Sequence, residues 1–166
     1  MIKVYELDWC ADIIAGKSIA GFSILINSYE EVKDALGKLD RKKFRFEGDC
    51  TYLEVIDNKI QYDESVDILI RFFFNVDGLL DESIVYKTNT ENEYKGKIYG
   101  KYGLRDKISA VSEFGVIERS NTGEEFFLIQ CNNSCGLSIA NGLDSSLEDD
   151  PEQDIAIIKV HGLRWN

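Results

Sequence analysis

The sequence has few bases, one proline and one histidine. Among its 166 residues, 19 Lys and Arg stand against 30 Asp and Glu, and the formal net charge is −11. Because this excess of negative charge repels phosphate backbones, we expect no nucleic-acid partner and instead expect a basic protein partner. The single proline, Pro151, leaves almost the whole backbone able to form helices and strands.

Long hydrophobic runs are also missing. The strongest ones, 68–70 and 72–74, are separated by Arg71 and fall far short of the roughly 20 residues that a membrane helix needs. The segment 1–9 has no basic stretch followed by an apolar stretch and carries Glu6 and Asp8, so no secretory signal is predicted. We therefore expect a cytoplasmic protein that does not contact membranes, with its four cysteines reduced.

Large side chains are abundant for so acidic a chain. Hydrophobic residues make up 44% of the sequence, including nine Phe, eight Tyr and two Trp. A chain of this length and composition can bury a core without disulfides or a structural metal. The sequence predicts a single domain over 1–166.

Two segments have the pattern of short amphipathic helices, at about 28–37 and 104–113. In the first, Ser28 and Glu31 have the spacing of a capping box, and Gly37 is suited to end the helix. The second is built on Leu104, Ile108 and Val111. The remaining periodic segments indicate strands, so the predicted fold is α+β, predominantly antiparallel β-sheet.

Several strands are predicted together with their turns. A first strand is expected at 2–9 and an extended run at 19–26. A hairpin is expected around Asp57-Asn58 between 51–56 and 59–62, and a second around Asp77-Gly78 between 68–76 and 79–87. The strands of the second hairpin are expected to be central, because their apolar content leaves little face for water. Further strands are expected at 115–118, 125–131, 137–140 and 155–160.

The chain reads as two similar halves, about 1–88 and 94–166. Gly16-Lys17 near the start is echoed by Gly96-Lys97, and each motif is followed by a short helix and then by strands. Two degenerate repeats would explain this order. A chance recurrence is the alternative, since short Gly-Lys patterns arise easily.

No cofactor, metal or catalytic constellation is predicted. Gly16-Lys17-Ser18 resembles the end of a phosphate-binding loop, but it leads into an extended segment rather than a helix. Cys131 and Cys135 could supply half of a zinc site, but the only histidine, His161, is distant in sequence. Carboxylates are numerous, and no pair stands out for acid/base catalysis.

The local charge pattern is more informative. Six acids and no base lie within 144–154, hereafter the acidic loop. Such a segment stays at the surface, either as a solvated loop or as a docking site for a cationic partner. The predicted contact residues comprise this loop, a second acidic cluster and two aromatic anchors: Asp144, Glu148, Asp149, Asp150, Glu152 and Asp154; Asp63, Glu64 and Asp67; Tyr99 and Tyr102.

The pattern as a whole resembles a known group of bacterial proteins. Asp8-Trp9, the segments 15–22 and 29–32, Tyr94-Lys-Gly-Lys-Ile and Gly136-Leu-Ser-Ile resemble immunity proteins of polymorphic toxin systems, in particular those acting against contact-dependent growth inhibition toxins. The segment 28–37 also resembles the first helix of the tandem units in β-lactamase inhibitor proteins. Both resemblances imply binding rather than catalysis, and neither transfers a binding residue.

These observations lead to one expected function and two alternatives. We expect a monomeric immunity protein, not an enzyme, that neutralises a basic toxin domain by covering its active site or its substrate-binding surface. A nuclease is the expected toxin class, because a nuclease must be basic where it meets phosphates. The alternatives are a small hydrolase using paired carboxylates and a module that binds a peptide by strand addition.

Overall fold

A computed structural model of the protein describes residues 3–58, 67–143 and 145–162. In chain order its elements are β1 (Ser18–Ile19), β2 (Phe22–Ser23), α1 (Tyr29–Leu36), β3 (Phe44–Asp49), β4 (Tyr52–Asp57), β5 (Ile68–Phe74), β6 (Leu80–Tyr86), a 3-10 helix (Ile108–Phe114), β7 (Val116–Arg119), β8 (Phe126–Gln130), β9 (Asn133–Ala140) and β10 (Ile157–His161). The predicted α+β class, mostly antiparallel sheet with two short helices, is confirmed. In the described part of the chain, no helix is long and apolar enough to cross a membrane.

Eight strands form one antiparallel sheet in the order β3-β4-β5-β6-β10-β9-β8-β7. Each half of the chain contributes a helix followed by four strands that neighbour one another in sequence order. The two last strands, β6 and β10, meet at the centre of the sheet, with Val85 opposite Ile158. The strands β5 and β6 lie third and fourth in the order, which confirms their expected central position. The common origin of the two halves stays a prediction.

Capping explains the first helix. Ser28 accepts a hydrogen bond from the Glu31 amide, and the Glu31 side chain accepts one from the Ser28 amide, as the capping box predicts. Gly37 ends the helix, and Val32, Ala35 and Leu36 form its buried side.

The second helix differs from its prediction in both type and bounds. It begins at Ile108 rather than near 104, and it is a 3-10 helix. The residue before it, Lys107, makes no capping hydrogen bond through its side chain. Without a capping side chain and with only seven residues, the segment lacks the features that favour a regular α-helix.

The N-terminal predictions fail because backbone conformation interrupts the apolar runs. Residues 3–8 pair with no strand, so the predicted strand at 2–9 is wrong over its described part. The extended run at 19–26 is reduced to the two-residue strands β1 and β2, because Ala20 adopts φ 58° between them. Leu25 also has a positive φ, of 61°, and it ends the second run.

The hairpins were predicted with mixed success. Both edges of β4 are occupied, by β3 and by β5, and the predicted partner at 59–62 lies outside the described residues. The hairpin of β5 and β6 is confirmed, but its loop is longer than a two-residue mirror-image turn. Only Gly78 in it has a positive φ, and the Asn75 side chain accepts hydrogen bonds from the Asp77 and Leu79 amides.

The tight hairpin between β8 and β9 was not predicted. Gln130 pairs with Asn133, and the two residues between them, Cys131 and Asn132, have φ values of 51° and 64°. Two consecutive left-handed residues define a type I′ turn, whose usual sequence is Asn-Gly. Because the dipeptide here is Cys-Asn, the sequence does not indicate this turn.

One pair of equivalent turns relates the two halves. Ile14 and Ser18 bridge around a turn in which Gly16 has φ 69°, and Ile98 and Tyr102 bridge around a turn in which Gly100 has φ 76°. The turns correspond at an offset of 84 residues, four more than the Gly16 to Gly96 echo suggests. They also contact each other, because Ile13 and Ile98 form a parallel bridge.

The hydrophobic core lies on one face of the sheet. Phe72 and Val55 point into it from the first half, and Leu128 and Val160 from the second. Both helices and the turns of residues 13–24 pack on this side, as shown by an edge-to-face contact between Phe22 and Phe72 with ring centroids 5.4 Å apart. The opposite face of the sheet, hereafter the open face, carries the alternate residues of every strand.

Candidate partner-binding face

The strand register aligns one residue of each strand in a row across the open face, hereafter the central row. Residues that pair directly share a face of the sheet, so the register determines the members of the row without reference to side-chain detail. From one edge to the other, the central row consists of Glu47, Glu54, Arg71, Ile84, Lys159, Ser138, Phe127 and Glu118. The row therefore begins with three charged residues, has a single further charge at Lys159 among apolar and small residues, and ends with Glu118.

Aromatic rings flank this row. Tyr52 pairs with Phe73 beside it, Tyr86 lies on the other side of it, and Phe127 belongs to it. All four residues are half-buried, and none belongs to the core cluster. Large rings on a sheet face that the helices do not cover are the side chains most enriched in protein interfaces.

Arg71 organises the first half of the open face. Its Nε donates to the Glu54 carboxylate at 3.0 Å and its Nη1 to the Tyr86 hydroxyl at 3.2 Å, and its guanidinium lies 5.5 Å from the centre of the Tyr86 ring. Burial raises the pKa of the Tyr86 phenol, while the Arg71 guanidinium opposes that shift. Three neighbouring strands are thereby linked by one half-buried cation.

Lys159 has the corresponding role in the second half. Its Nζ lies 3.2 Å from the Glu125 carboxylate and 3.7 Å from the Glu82 carboxylate, and its side chain is only 25% exposed. The Ser138 hydroxyl donates to the same Glu125 oxygen at 3.1 Å. The ammonium charge of Lys159 is therefore already compensated within the protein.

A cavity of about 550 Å³ opens at this end of the open face. Its walls combine three carboxylates, two cations and an imidazole with the apolar side chains of β8 and the polar hairpin between β7 and β8. The lining residues are Glu82, Glu118, Arg119, Ser120, Asn121, Glu125, Phe127, Ile129, Ser134, Lys159 and His161. This volume falls within the range of ligand pockets.

Residues 145–154 of the acidic loop form a surface segment that leads into β10. Buried Gln153 donates through Nε2 to the carbonyl oxygens of Ser145, Ser146 and Asp150, at 3.0, 3.2 and 3.1 Å. These three bonds tie together the described residues of the loop, and Lys107 adds contacts to Glu152 and Asp154.

The acids of the loop differ in exposure and in pairing. Glu148, Asp149 and Asp154 are exposed, and Asp150 is half-buried. Glu152 is paired with Lys107 at the start of the 3-10 helix. Asp144 lies outside the described residues.

The other predicted contact residues are dispersed. Asp63 and Glu64 lie outside the described residues, and Asp67 is half-buried just before β5. Tyr99 and Tyr102 pack against Phe114 of the 3-10 helix, with ring centroids 5.1 and 5.7 Å apart. These two tyrosines are thus on the helix side of the sheet, where the acidic loop also contacts the start of the 3-10 helix through Lys107.

Sequence reasoning missed the open face itself. The strand at 68–76 was expected to leave little face for water, but Phe73 and Arg71 are on the open face. The signal was present in β4, where Tyr52 and Glu54 alternate with buried Leu53 and Val55. The alternation alone does not predict which of the two faces the helices cover.

Nothing in the described chain gathers metal ligands. No group of three or more His, Cys, Asp and Glu residues within it is placed to hold a metal ion. Cys131 is exposed in the type I′ turn, and Cys135 is half-buried, with its thiol 3.2 Å from the Leu128 carbonyl oxygen. Burial raises the pKa of the Cys135 thiol, which works against a metal-binding thiolate.

Comparison with known proteins gives little further guidance. No family model and no curated protein matches the sequence. Among solved structures, the crystal structure of YjgB, a DUF4309 family protein from Bacillus subtilis subsp. subtilis strain 168, is similar, with 11% sequence identity over 89% of this chain and 88% of that chain and a TM-score of 0.45. A similarity of this size carries no argument about structure or function, so the function has to be inferred from the residues of the open face.

Proposed function

We propose that this protein is a cytoplasmic immunity protein that binds a basic toxin domain, a nuclease, through the open face of its sheet. The observation that carries the proposal is the composition of that face. Four half-buried aromatic rings lie beside two cations, each already held by carboxylates. Rings of this kind supply the buried contacts that dominate binding energy in protein interfaces.

The size of the face suits such a partner. Eight strands spaced by about 4.8 Å span about 34 Å, and strands of four to eight residues are about 13–26 Å long. The area available is therefore of the order of the roughly 800 Å² that each partner contributes to a standard interface. A monomer of this protein can cover the substrate-binding surface of a small nuclease.

The charge of the protein complements a nuclease. A net charge of −11 accelerates the association with a basic domain, and local acids determine where the encounter is guided. Exposed Glu148 and Asp149 belong to the connection from β9 to β10, which contacts Lys107 at the start of the 3-10 helix. We assign the loop to guidance of the partner and the open face to the stable contact.

Co-expression tests the proposal as a whole. The protein is produced together with the toxin fragment encoded upstream of its gene, and cell survival and co-purification are measured. Survival with a stable complex is the expected result. Absence of both protection and complex would overturn the proposal.

Paired variants then locate the interface. Tyr52→Ala with Phe73→Ala removes two rings from the open face, and we expect affinity to fall at least about thirtyfold, as for a hot spot. Tyr102→Ala is the matched control, because this tyrosine lies on the helix side. Loss of binding in the control alone would move the interface to the 3-10 helix.

The acidic loop has its own test. In Glu148→Lys with Asp149→Lys, the association rate constant should fall and its dependence on salt should weaken, while the dissociation rate constant should stay nearly unchanged. Stopped-flow mixing at several salt concentrations measures both constants. An unchanged association rate constant would remove the loop from the encounter surface.

The alternative of a small hydrolase is favoured by one observation, the cavity with three carboxylates. Two of them, Glu82 and Glu125, are held by Lys159, and Glu118 is exposed at the edge strand. A hydrolase would lose turnover in Glu125→Gln while keeping substrate affinity, whereas toxin protection does not require turnover. Protection by Glu125→Gln separates the two functions.

A further inference from the structure

The only Asn-Gly dipeptide of the chain, Asn141-Gly142, lies between β9 and the acidic loop. Glycine after asparagine gives the least steric hindrance when its backbone nitrogen attacks the side-chain amide carbon, because glycine has no Cβ. Gly142 is exposed, and a Cβ built on it would meet no atom within 4 Å. Water and hydroxide therefore reach this dipeptide from solvent.

The backbone nitrogen of Gly142 is available as a nucleophile. It makes no hydrogen bond with any residue of the described part of the chain. The sole Asp-Gly dipeptide, Asp77-Gly78, can form the same type of cyclic imide, but the Gly78 amide donates to the Asn75 carbonyl oxygen at 2.9 Å. A carboxylate is also a poorer electrophile than an amide. Asn141 is therefore the more reactive of the two positions.

The side chain of Asn141 connects β9 to the far end of the acidic loop. Its Nδ2 donates to the Asp154 carbonyl oxygen at 2.6 Å. Beside this bond, where β10 begins, the Ala156 amide donates to the Ala140 carbonyl oxygen at 2.8 Å. A carboxylate at position 141 would have no N–H to donate and would turn a negative charge towards the Asp154 carbonyl oxygen. The contact therefore needs the neutral amide.

We propose that Asn141 is a site of spontaneous deamidation, and that this modification releases the acidic loop from β9 as the protein ages. The Gly142 nitrogen loses its proton to solvent and forms a bond to Cγ of Asn141. The Cγ–Nδ2 bond breaks, and Nδ2 takes up a proton and leaves as ammonia. Water then opens the cyclic imide at either of its carbonyl carbons and leaves aspartate or isoaspartate. The net charge becomes one unit more negative than −11, and the donor to Asp154 is lost.

Incubation of the purified protein at neutral pH tests the site. Mass spectrometry of the intact chain follows the mass gain that replaces an amide by a carboxyl group, and tandem mass spectrometry localises it. We expect the gain first at Asn141, as a mixture of aspartate and isoaspartate. Its rate should rise with pH, because the attacking nitrogen must lose its proton. Earlier deamidation at another asparagine, or earlier isoaspartate at Asp77, would overturn the proposal.

Glycine variants separate the local chemistry from a general effect of backbone strain. Gly142→Ala should slow the deamidation of Asn141 at least about tenfold, because the added Cβ hinders the attack. Gly123→Ala is the matched control, since Gly123 also has a positive φ, 76° against 88° for Gly142, and lies in a different turn. Asn141 should deamidate at the wild-type rate in this control. Equal rates in the wild type and in Gly142→Ala would contradict the proposed attack.

Fixed variants test the release of the loop. Asn141→Asp reproduces one of the two products, and Asn141→Ala removes the donor without adding a charge. We expect Tm to fall by about 2–4 °C in Asn141→Ala and by more in Asn141→Asp. Amide hydrogen exchange in 145–154 should be faster in Asn141→Asp than in the wild type, while exchange in α1 stays the same. Unchanged exchange in 145–154 would refute the release of the loop. These measurements need no toxin, and the inference does not rest on the proposed function.

Discussion

The segment between the two halves, 89–93, is held in place by the buried carboxylate of Glu93. Removing this carboxylate should lower the free energy of unfolding. Glu93 is 7% exposed and accepts a hydrogen bond from the Thr88 amide at 2.7 Å. It also accepts from Arg105 Nε and Nη2, at 3.0 and 3.1 Å. Because the Arg105 side chain is 56% exposed, water screens the ion pair, and the bond to the buried Thr88 amide contributes the larger share.

These contacts determine how much stability the protein should lose without Glu93. A hydrogen bond to a charged group contributes about 1.5–3 kcal/mol, and a partly exposed ion pair adds about 0–1 kcal/mol. We therefore expect Glu93→Ala to lower the free energy of unfolding by about 2–3 kcal/mol. For a chain of this size, that change corresponds to a fall in Tm of about 5–10 °C. Arg105→Ala leaves the bond between Glu93 and the Thr88 amide in place and removes partly exposed contacts, to Glu93 and to the Thr88 carbonyl oxygen at 2.7 Å, so it should cost about 1 kcal/mol.

Urea unfolding measured by tryptophan fluorescence and circular dichroism provides the assay, with Tm from calorimetry. Glu148→Ala serves as the control, because it removes an acid from an exposed position. We expect the Glu93 variant to lose at least twice as much free energy of unfolding as the Arg105 variant. Equal losses would mean that the ion pair, and not the buried amide, holds the segment 89–93.

Three further predictions concern other parts of the chain. Cysteine labelling of the native protein, counted by mass spectrometry, should show three fast-reacting thiols and one slow thiol, Cys135, since burial raises its pKa; four equal rates would contradict its placement. Cys131→Asn should raise the unfolding free energy by about 1 kcal/mol in urea titrations, because asparagine tolerates a positive φ better than cysteine; a loss would argue against the type I′ turn. Hydrogen bonds from Lys101 and Tyr102 lower the pKa of Glu113, so this contribution to stability is present at neutral pH and is lost as the pH falls through the lowered pKa. Lys101→Ala should raise the Glu113 pKa towards its ordinary value in a carboxyl-carbon NMR titration, and an unchanged pKa would exclude the contact.

The sequence predicted those elements that are specified by local interactions. The capping box of Ser28 and Glu31 and the pairing of β5 with β6 depend on residues close in the chain, and both were predicted, although the loop around Gly78 is longer than the predicted two-residue turn. The 3-10 helix and the Cys131-Asn132 turn were misread or missed. The 3-10 helix lacks the capping side chain and the length that favour an α-helix, and the turn has Cys-Asn where Asn-Gly is usual.

The net charge of −11 and the abundance of large apolar side chains follow from the sequence alone, because they are sums over residues. The positions of these charges in the structure do not follow from the sequence alone. Arg71, Glu54 and Tyr86 come together only because β4, β5 and β6 are neighbours in register, and Lys159 meets Glu82 and Glu125 only because β10 lies at the centre of the sheet. Side-chain alternation gives each strand two faces, but the packing of the helices on one of them decides which residues remain for a partner.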